Sequence, residues 1–328
     1  MDTVTLGAAA TISDSWRALG EPPRIAVLIP CYDEEVAIAS VVRSFHQALP
    51  AARIHVYDNN SNDRTGEVAR TAGAAVHNER LRGKGNVIRR MFADIDADVY
   101  VLVDGDGTYD PASAEAMVAL LLADNLDMVV GCRVHCTSAA YRRGHQLGNA
   151  MLTGFVGWLF GKSFTDMLSG YRVFSRRFVK SFPALSRGFE TETELTVHAL
   201  ELRMPIAEVK TAYGERPVGS ASKLHTYRDG FRILKLILSL YKHERPLAFF
   251  MVISALLAAI AIGLGIPIVV EWLSTGLVPR FPTAILASAI MILASLSATA
   301  GLILETVTRG RKELKRLVYL QIPAFKDE

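Results

Sequence analysis

Five short runs dense in branched apolar residues punctuate the first part of the chain: "RIAVLIP" (Arg24–Pro30), "RIHVYD" (Arg53–Asp58), "AAVH" (Ala74–His77), "DVYVLVD" (Asp98–Asp104) and "DMVVGCR" (Asp127–Arg133). Between them, "EEVAIASVVRSFHQAL", "DRTGEVARTAG", "KGNVIRRMFADI" and "PASAEAMVALLLADN" bring apolar residues back every three or four positions. The first pattern is that of strands buried on both faces; the second is that of helices with one buried stripe. Their alternation predicts a doubly wound α/β fold, a mostly parallel sheet with helices on both faces. Ligands of such a fold bind at the carboxyl ends of the strands.

The pattern changes near the carboxyl terminus. "PLAFFMVISALLAAIAIGLGIPIVV" (Pro246–Val270) and "FPTAILASAIMILASLSATAGLIL" (Phe281–Leu304) carry no charge. Each is long enough, at about 20 residues per crossing, to span a bilayer as a helix. "LYKHERP" precedes the first run and "TRGRKELKR" follows the second, whereas the loop between them offers only Arg280. Basic residues stay on the cytoplasmic side, so both termini are expected there. The expected organisation is a flexible lead-in (1–22), a cytoplasmic catalytic body (23–225) and an amphipathic interfacial helix (226–245). A transmembrane hairpin (246–307, spans about 247–270 and 281–304) and a cytoplasmic basic tail (308–328) complete it.

Composition narrows the class. Half of the 328 residues are apolar, enough for a folded catalytic body. A net charge of +3 gives no case for nucleic acid as a partner. Cys31, Cys132 and Cys136 make no disulfide framework and point to a reducing compartment. No Walker loop, Gly-x-Ser-x-Gly or Gly-x-Gly-x-x-Gly occurs, which argues against nucleotide triphosphatase, hydrolase and dehydrogenase readings.

The strand ends carry the chemistry. The first run leads into "PCYDEE", the second into "DNNSNDRTG", the third into "NERLRGKGN" and the fourth into "DGDGTYD". A nucleotide suits such a crevice: Asp33, Glu35 and Asp58 offer acceptors for base or ribose. Arg82 and Lys84, among glycines, offer positive charge for a diphosphate. Asp104 and Asp106, one residue apart, present carboxylates with which a hard divalent cation can bind by one or both, along with phosphates. Acidic turn residues also serve as ordinary helix caps; four such turns on one sheet edge are what favours the ligand reading.

In order, "IAVLIPCYDEE", "VYDNNSNDRTGE", "RGKGNVIRR", "VLVDGDGTYDP", "DMLSGYRVFSRR" and "GFETETEL" resemble the inverting glycosyltransferases of family 2, in particular the dolichyl- and undecaprenyl-phosphate sugar synthases. The resemblance runs from about Ile25 to Tyr241. It implies a GT-A fold, a nucleotide-sugar donor, a polyprenyl-phosphate acceptor and Mg2+ or Mn2+. By position, Pro30, Tyr32, Asp33 and Glu35 match the first nucleotide-binding turn and Asp58 the base-side carboxylate. Lys84 falls in the glycine-lysine-glycine turn. Asp104 and Asp106 match the metal-binding pair, Asp106 being the expected direct ligand. Where relatives of the dolichyl-phosphate mannose type often have Gln, this chain has Thr108. The resemblance also implies that Asp166 and Arg172, in "DMLSGYR", order the acceptor side of the crevice, and that Glu192 supports it. It favours a UDP-linked hexose or N-acetylhexosamine as donor over GDP-mannose, and leaves oligomeric state open, association being common among relatives with short membrane hairpins.

"RPVGSASKLHTYRDG" resembles the relatives' phosphate-binding loop, in which Arg216, Ser222 and Lys223 would take a phosphate, either the acceptor's or the donor's diphosphate. "YRRGHQLGNAMLTGFVGWLFG" (Tyr141–Gly161) has the spacing of a core helix and, with its Trp and basic start, also of a helix lying in the membrane interface. Glu192 reads as a ligand for a sugar hydroxyl or as a helix-start carboxylate. Catalysis would then rest on Asp104, Asp106, Arg216 and Lys223. The competing readings are a processive polysaccharide synthase, against which the absence of a Gln-x-x-Arg-Trp motif counts, and a scaffold that kept the fold without turnover.

Overall fold

The computed structural model describes residues 22–135, 143–161, 164–186, 188, 190–216 and 226–325. A seven-stranded sheet forms its centre: β1 (Ile25–Cys31), β2 (Arg53–Asp58), β3 (Ala75–Asn78), β4 (Val99–Leu102), β5 (Met128–His135), β6 (Arg172–Ser175) and β7 (Ile206–Tyr213). Their order across the sheet is β3-β2-β1-β4-β6-β5-β7. The five expected strands are present and mutually parallel. Between β4 and β5 lies the antiparallel β6, and beyond β5 lies β7, parallel to it.

The central strands are apolar throughout because helices cover both faces. Every residue of β4 is buried, and β1 is interrupted only at Pro30. On one face α1 (Glu35–Ala48) buries Ala37, Ile38, Val41, Val42 and Phe45, its three-and-four stripe. The short α2 (Thr65–Thr71) and the mostly buried α4 (Ser113–Ala123) join it over one core with Val27, Val101, Val129 and Val173. On the other face α3 (Lys84–Asp94) and α6 (Arg176–Ser181) enclose an aromatic cluster. Phe92, Phe174, Phe178 and Phe182 meet there with ring centroids 4.5–6.1 Å apart. Two further helices, α5 (Arg143–Phe160) and α7 (Thr191–Glu201), complete the layer order. The strand order reverses at β1 and β4, the topological switch point at which open sheets bind ligands.

Three helices follow: α8 (Thr226–Glu244), α9 (Pro246–Thr275) and α10 (Phe281–Leu320). The chain divides into two compact units, one of residues 1–233 with 315–328 and one of residues 234–314. In the second, α9 starts with Pro at its first turn and ends at Gly276, whose φ of 69° supplies the left-handed cap. Ala287, Ala294 and Gly301, spaced by seven, are the buried positions of α10. Ser254 Oγ donates to the Ala294 carbonyl (2.8 Å) and Ser297 Oγ to that of Phe250 (3.1 Å), ties between helices that small residues permit. Both α9 and α10 are long and apolar enough to cross a membrane; only 6% and 17% of their most apolar windows are buried, unlike the core helices of a soluble protein.

Helix α10 runs on to Leu320, through much of the segment expected as a tail. Its last turns pack within the first unit. Lys315 Nζ pairs with Glu201 (2.6 Å), Tyr319 donates to Asp127 Oδ2 (2.7 Å), and Arg177 lies over the Tyr319 ring. The fully buried Asp127 also pairs with Arg177 and accepts from Ser175.

Candidate active site

The turns that end β1, β2 and β3 are knitted to one another. Asp33, in a left-handed conformation (φ 51°), accepts the Asn62 N–H on Oδ1 (2.7 Å) and donates its own N–H to Ser61 Oγ (3.0 Å). Asp58, at the end of β2, accepts the Ser61 N–H (3.0 Å). Asn59 crosses to the third turn: its amide donates to the Glu79 and Leu81 carbonyls, and its oxygen accepts from Gly83 N–H (2.7 Å). Tyr32 accepts from Asn62 Nδ2 (3.2 Å) and lies under Arg82. Pro30 stands in β1 opposite Tyr57. Glu35 differs from its neighbours, because it accepts from the backbone and guanidinium of Arg64, and that hydrogen bonding holds its carboxyl below the usual range. It therefore ties α1 to the second turn.

The D-x-D pair leaves β4 beside these turns. Gly105 packs so closely against Cys31 at the end of β1 that a Cβ would overlap its sulfur. Burial, then the nearby carboxylates of Glu34, Asp58, Asp104 and Asp106, push the Cys31 thiol well up, so it is a neutral packing group. Asp106 is 4% exposed. Its Oδ1 accepts from the backbone N–H (3.1 Å) and hydroxyl (2.6 Å) of Thr108. Thr108 thus fixes the orientation of Asp106, a role the sequence comparison with Gln-bearing relatives does not suggest. Asp106 Oδ2 lies 2.7 Å from Nη2 of Arg216. Arg216 arrives there because Gly214 N–H donates to the Thr108 carbonyl (2.8 Å), pinning the segment after β7 onto the D-x-D turn.

Lys84 occupies the other side. It opens α3 after Gly83, whose φ of 121° is open to glycine. Its ammonium is 2.5 Å from Asp104 Oδ1 and 2.5 Å from Glu192 Oε1. Burial works to discharge Lys84, but the two carboxylates outweigh it and hold its proton well above the ordinary lysine range. Gly85 packs against the Ser186 carbonyl, which sets α3 against the segment that carries Glu192 into the first turn of α7. Glu194 accepts the N–H groups of Leu185 and Ser186 (2.8 Å each) and shapes that segment.

Two expected acceptor-side residues part company. Asp166 grips Arg133 through both oxygens (2.7 Å each), and against the opposing effect of burial this pairing keeps its carboxyl low. Arg133, at the end of β5, lies over the Tyr213 ring. Arg172 is fully buried and faces the core: it donates to the Ser169 and Met167 carbonyls and to Thr196 Oγ1, and burial lowers its pKa. It braces the loop before β6 from the core side. Residues not anticipated from the sequence are Thr108, Asn59, Arg133, Tyr109, whose hydroxyl accepts the Gly170 N–H (2.8 Å), and Glu208. Glu208, buried in β7, accepts from Thr165 and from the Cys132 thiol. Ser222 and Lys223 lie outside the described residues.

The donor set suits a hard divalent cation held together with phosphates. Asp104 and Asp106 supply oxygens at one turn, both already facing cationic side chains, and the absence of a Cβ at Gly170 leaves room for the Asp104 carboxylate. Among the described residues no cluster of three or more His, Cys, Asp or Glu exists, so protein ligands alone would leave the coordination shell open.

The sequence profile of glycosyl transferase family 2 matches residues 26–181. The chain is 32% identical over 253 residues to glycosyltransferase AglJ of Haloferax volcanii, covering 76% of this chain and 83% of that one. It is 28% identical to a dolichyl-phosphate hexose transferase of the same organism over 221 residues, 67% of this chain and 95% of that one. An uncharacterised protein of Shigella flexneri is 60% identical over 160 residues, 49% of this chain and 98% of that one. Among solved structures, glucosyl-3-phosphoglycerate synthase of Mycobacterium tuberculosis, crystallised in complex with Mn2+, UDP and glucosyl-3-phosphoglycerate, superposes with a TM-score of 0.54. It shares 22% identity and covers 71% of this chain and 83% of that one.

Proposed function

The chain belongs to glycosyl transferase family 2, and from that premise we propose that it transfers a sugar from a nucleotide-sugar to a polyprenyl phosphate at the cytoplasmic membrane face, with inversion at the anomeric carbon. The observation that carries this reading is the meeting, at the switch point of the sheet, of Asp104 and Asp106 with the cations of Lys84 and Arg216. Such a constellation fits a diphosphate and a metal ion. The lipid acceptor is supported by two helices suited to a bilayer and by the likeness to a dolichyl-phosphate hexose transferase. The basic flanks of those helices support cytoplasmic termini, and a UDP-linked hexose or N-acetylhexosamine is the donor class we favour.

The chemistry asks little acid–base work of the protein. A lipid phosphate is anionic near neutral pH, so its oxygen attacks the anomeric carbon while the bond from that carbon to the diphosphate oxygen breaks. Electrons balance without a proton transfer, the nucleoside diphosphate leaving as an anion. What the chain must supply is alignment and charge. Asp106, oriented by Thr108, with Asp104 beside it, would hold Mg2+ or Mn2+, which when bound supplies Lewis-acid neutralisation of the departing diphosphate. Arg216 and Lys84 add fixed positive charge on either side, and Asp33 and Asp58 offer acceptors to the nucleoside. By the resemblance in sequence, Ser222 and Lys223 would bind a phosphate, either the acceptor's or the donor's.

Purified protein incubated with undecaprenyl phosphate, Mn2+ or Mg2+ and a panel of UDP- and GDP-sugars tests this by mass spectrometry of the lipid fraction. A metal-dependent sugar-phosphate lipid is the expected product. Nucleotide binding without any lipid-linked product from the whole panel would overturn the acceptor assignment.

A further inference from the structure

Glu192 is buried, 108 positions along the chain from Lys84, yet its Oε1 meets the Lys84 ammonium at 2.5 Å. Its Oε2 is buried and has no hydrogen-bond partner among the described residues. A buried acceptor without a partner costs free energy, so its retention calls for an explanation. The Lys84 ammonium has three donors, and the structure places one on Asp104 and one on Glu192. Asp104 therefore has two competing uses, as the partner of Lys84 and as an oxygen ligand for a cation.

We propose that Glu192 is a positioning residue that tethers Lys84 so that the ammonium can exchange Asp104 for the donor's diphosphate without leaving the site. The inference rests on the reading of the crevice as a nucleotide-sugar site. When Asp104 turns to a divalent cation, the ammonium loses one acceptor. Glu192 keeps hold through Oε1, and its spare Oε2, on the same carboxylate, is open to the third donor. A diphosphate oxygen takes the donor that Asp104 gives up. Without the tether, a four-carbon lysine stem would carry its charge back to Asp104 or out toward water. The close packing of Gly85 against Ser186 holds the two elements at the spacing this arrangement needs, since any side chain there would separate α3 from the segment before α7.

A double-mutant cycle on nucleotide binding separates tethering from a general structural effect. Full-length detergent-purified protein is titrated calorimetrically with UDP and, separately, GDP at saturating Mn2+, as wild type, Glu192→Gln, Lys84→Met and the double variant. Thermal melting is followed alongside. Glu192→Gln keeps shape and leaves Lys84 paired with Asp104; it should weaken nucleotide binding about tenfold. Lys84→Met should weaken it at least as much, and the double variant no further. A Glu192→Gln effect that persists undiminished in the Lys84→Met background, or an unaltered affinity in Glu192→Gln, would overturn the tether. Should Lys84→Met fold poorly, Lys84→Gln closes the same cycle. Wild-type protein that binds neither nucleotide with Mn2+ would overturn the nucleotide-sugar reading itself, a result distinct from a failed cycle in a protein that does bind.

Discussion

Nη2 of Arg216 lies 2.7 Å from Oδ2 of Asp106, so the segment leaving the last strand closes onto the second carboxylate of the D-x-D turn. The other oxygen of Asp106 is held by Thr108, and the carboxylate therefore has a defined orientation before any ligand arrives. Preorganised charge of this kind is worth more than the same groups free in water, because no reorganisation accompanies the reaction.

Asp106→Asn keeps the size of the side chain and the acceptor for Thr108. It should lower sugar transfer by about 10²–10³-fold, the scale of losing one preorganised electrostatic group, while melting close to wild type. Thr108→Val removes only the hydroxyl and should cost roughly tenfold through loss of orientation. Rates of glycolipid formation in reconstituted vesicles, read beside melting curves, check both. Full turnover in Asp106→Asn would remove this residue from the metal site.

On the proposed function, Arg216 would compete with a metal ion for Asp106 and also supply charge to a diphosphate, so its removal should move two measurements in opposite directions. Mn2+ affinity without nucleotide, followed by electron paramagnetic resonance, should rise in Arg216→Ala, since Asp106 loses its partner. Transfer at saturating Mn2+ should fall by about tenfold or more. A fall in both would show that Arg216 holds the turn together and has no separate part in phosphate binding.

What was legible from the sequence follows from how local each signal is. The strands β1 to β5 and the helices between them stand out because each carries its own period. β6 escaped because its four residues, Arg172–Ser175, begin and end on polar side chains and run directly into α6, so no apolar run marks them. β7 escaped because Glu208 puts a carboxylate at a buried position of the strand, satisfied by Thr165 and Cys132 from elsewhere in the chain. In the site, Asp104, Asp106 and Lys84 were visible as turn chemistry. The partnership of Lys84 with Glu192 was not, because pairing across 108 residues leaves no local pattern. The carbonyls of Met167 and Ser169 that Arg172 reaches from within the core were equally unannounced, since nothing in a basic residue beside a glycine turn says that it is buried.

Acid should destabilise the catalytic unit through His198. Burial, and then the Lys315 ammonium, lower its pKa to about 3, against 6.5 for the free side chain. Below pH 6.5 the unfolded chain takes up a proton that the folded chain refuses until about pH 3. Unfolding therefore gains proton binding, and stability falls as pH drops through that window. At pH 5 the contribution is about 2 kcal/mol. His198→Phe, which suits the surrounding Phe178 and Phe182 rings, should narrow the difference between melting temperatures at pH 7 and pH 5. An unchanged difference would show that other groups carry the acid sensitivity.

Gly85 and Gly170 both sit where a Cβ would overlap a neighbour, but the neighbours differ, and so should the consequences of alanine. At Gly170 the overlapped atoms belong to the Asp104 carboxylate, the far end of a side chain that can turn aside. Gly170→Ala should therefore fold, with a melting temperature near wild type, and lose transfer, because Asp104 is pushed from its place beside Lys84. At Gly85 the overlapped atoms are the Ser186 carbonyl and the Thr191 hydroxyl. Backbone cannot give way so cheaply, so Gly85→Ala should cost stability first, on the order of the 1–3 kcal/mol typical of overpacking, and activity with it. Melting curves and transfer rates on the two variants decide the matter. A Gly170→Ala protein with full transfer would mean that the position of Asp104 is immaterial to the reaction. A destabilised Gly170→Ala protein would mean that the carboxylate is held too firmly to turn.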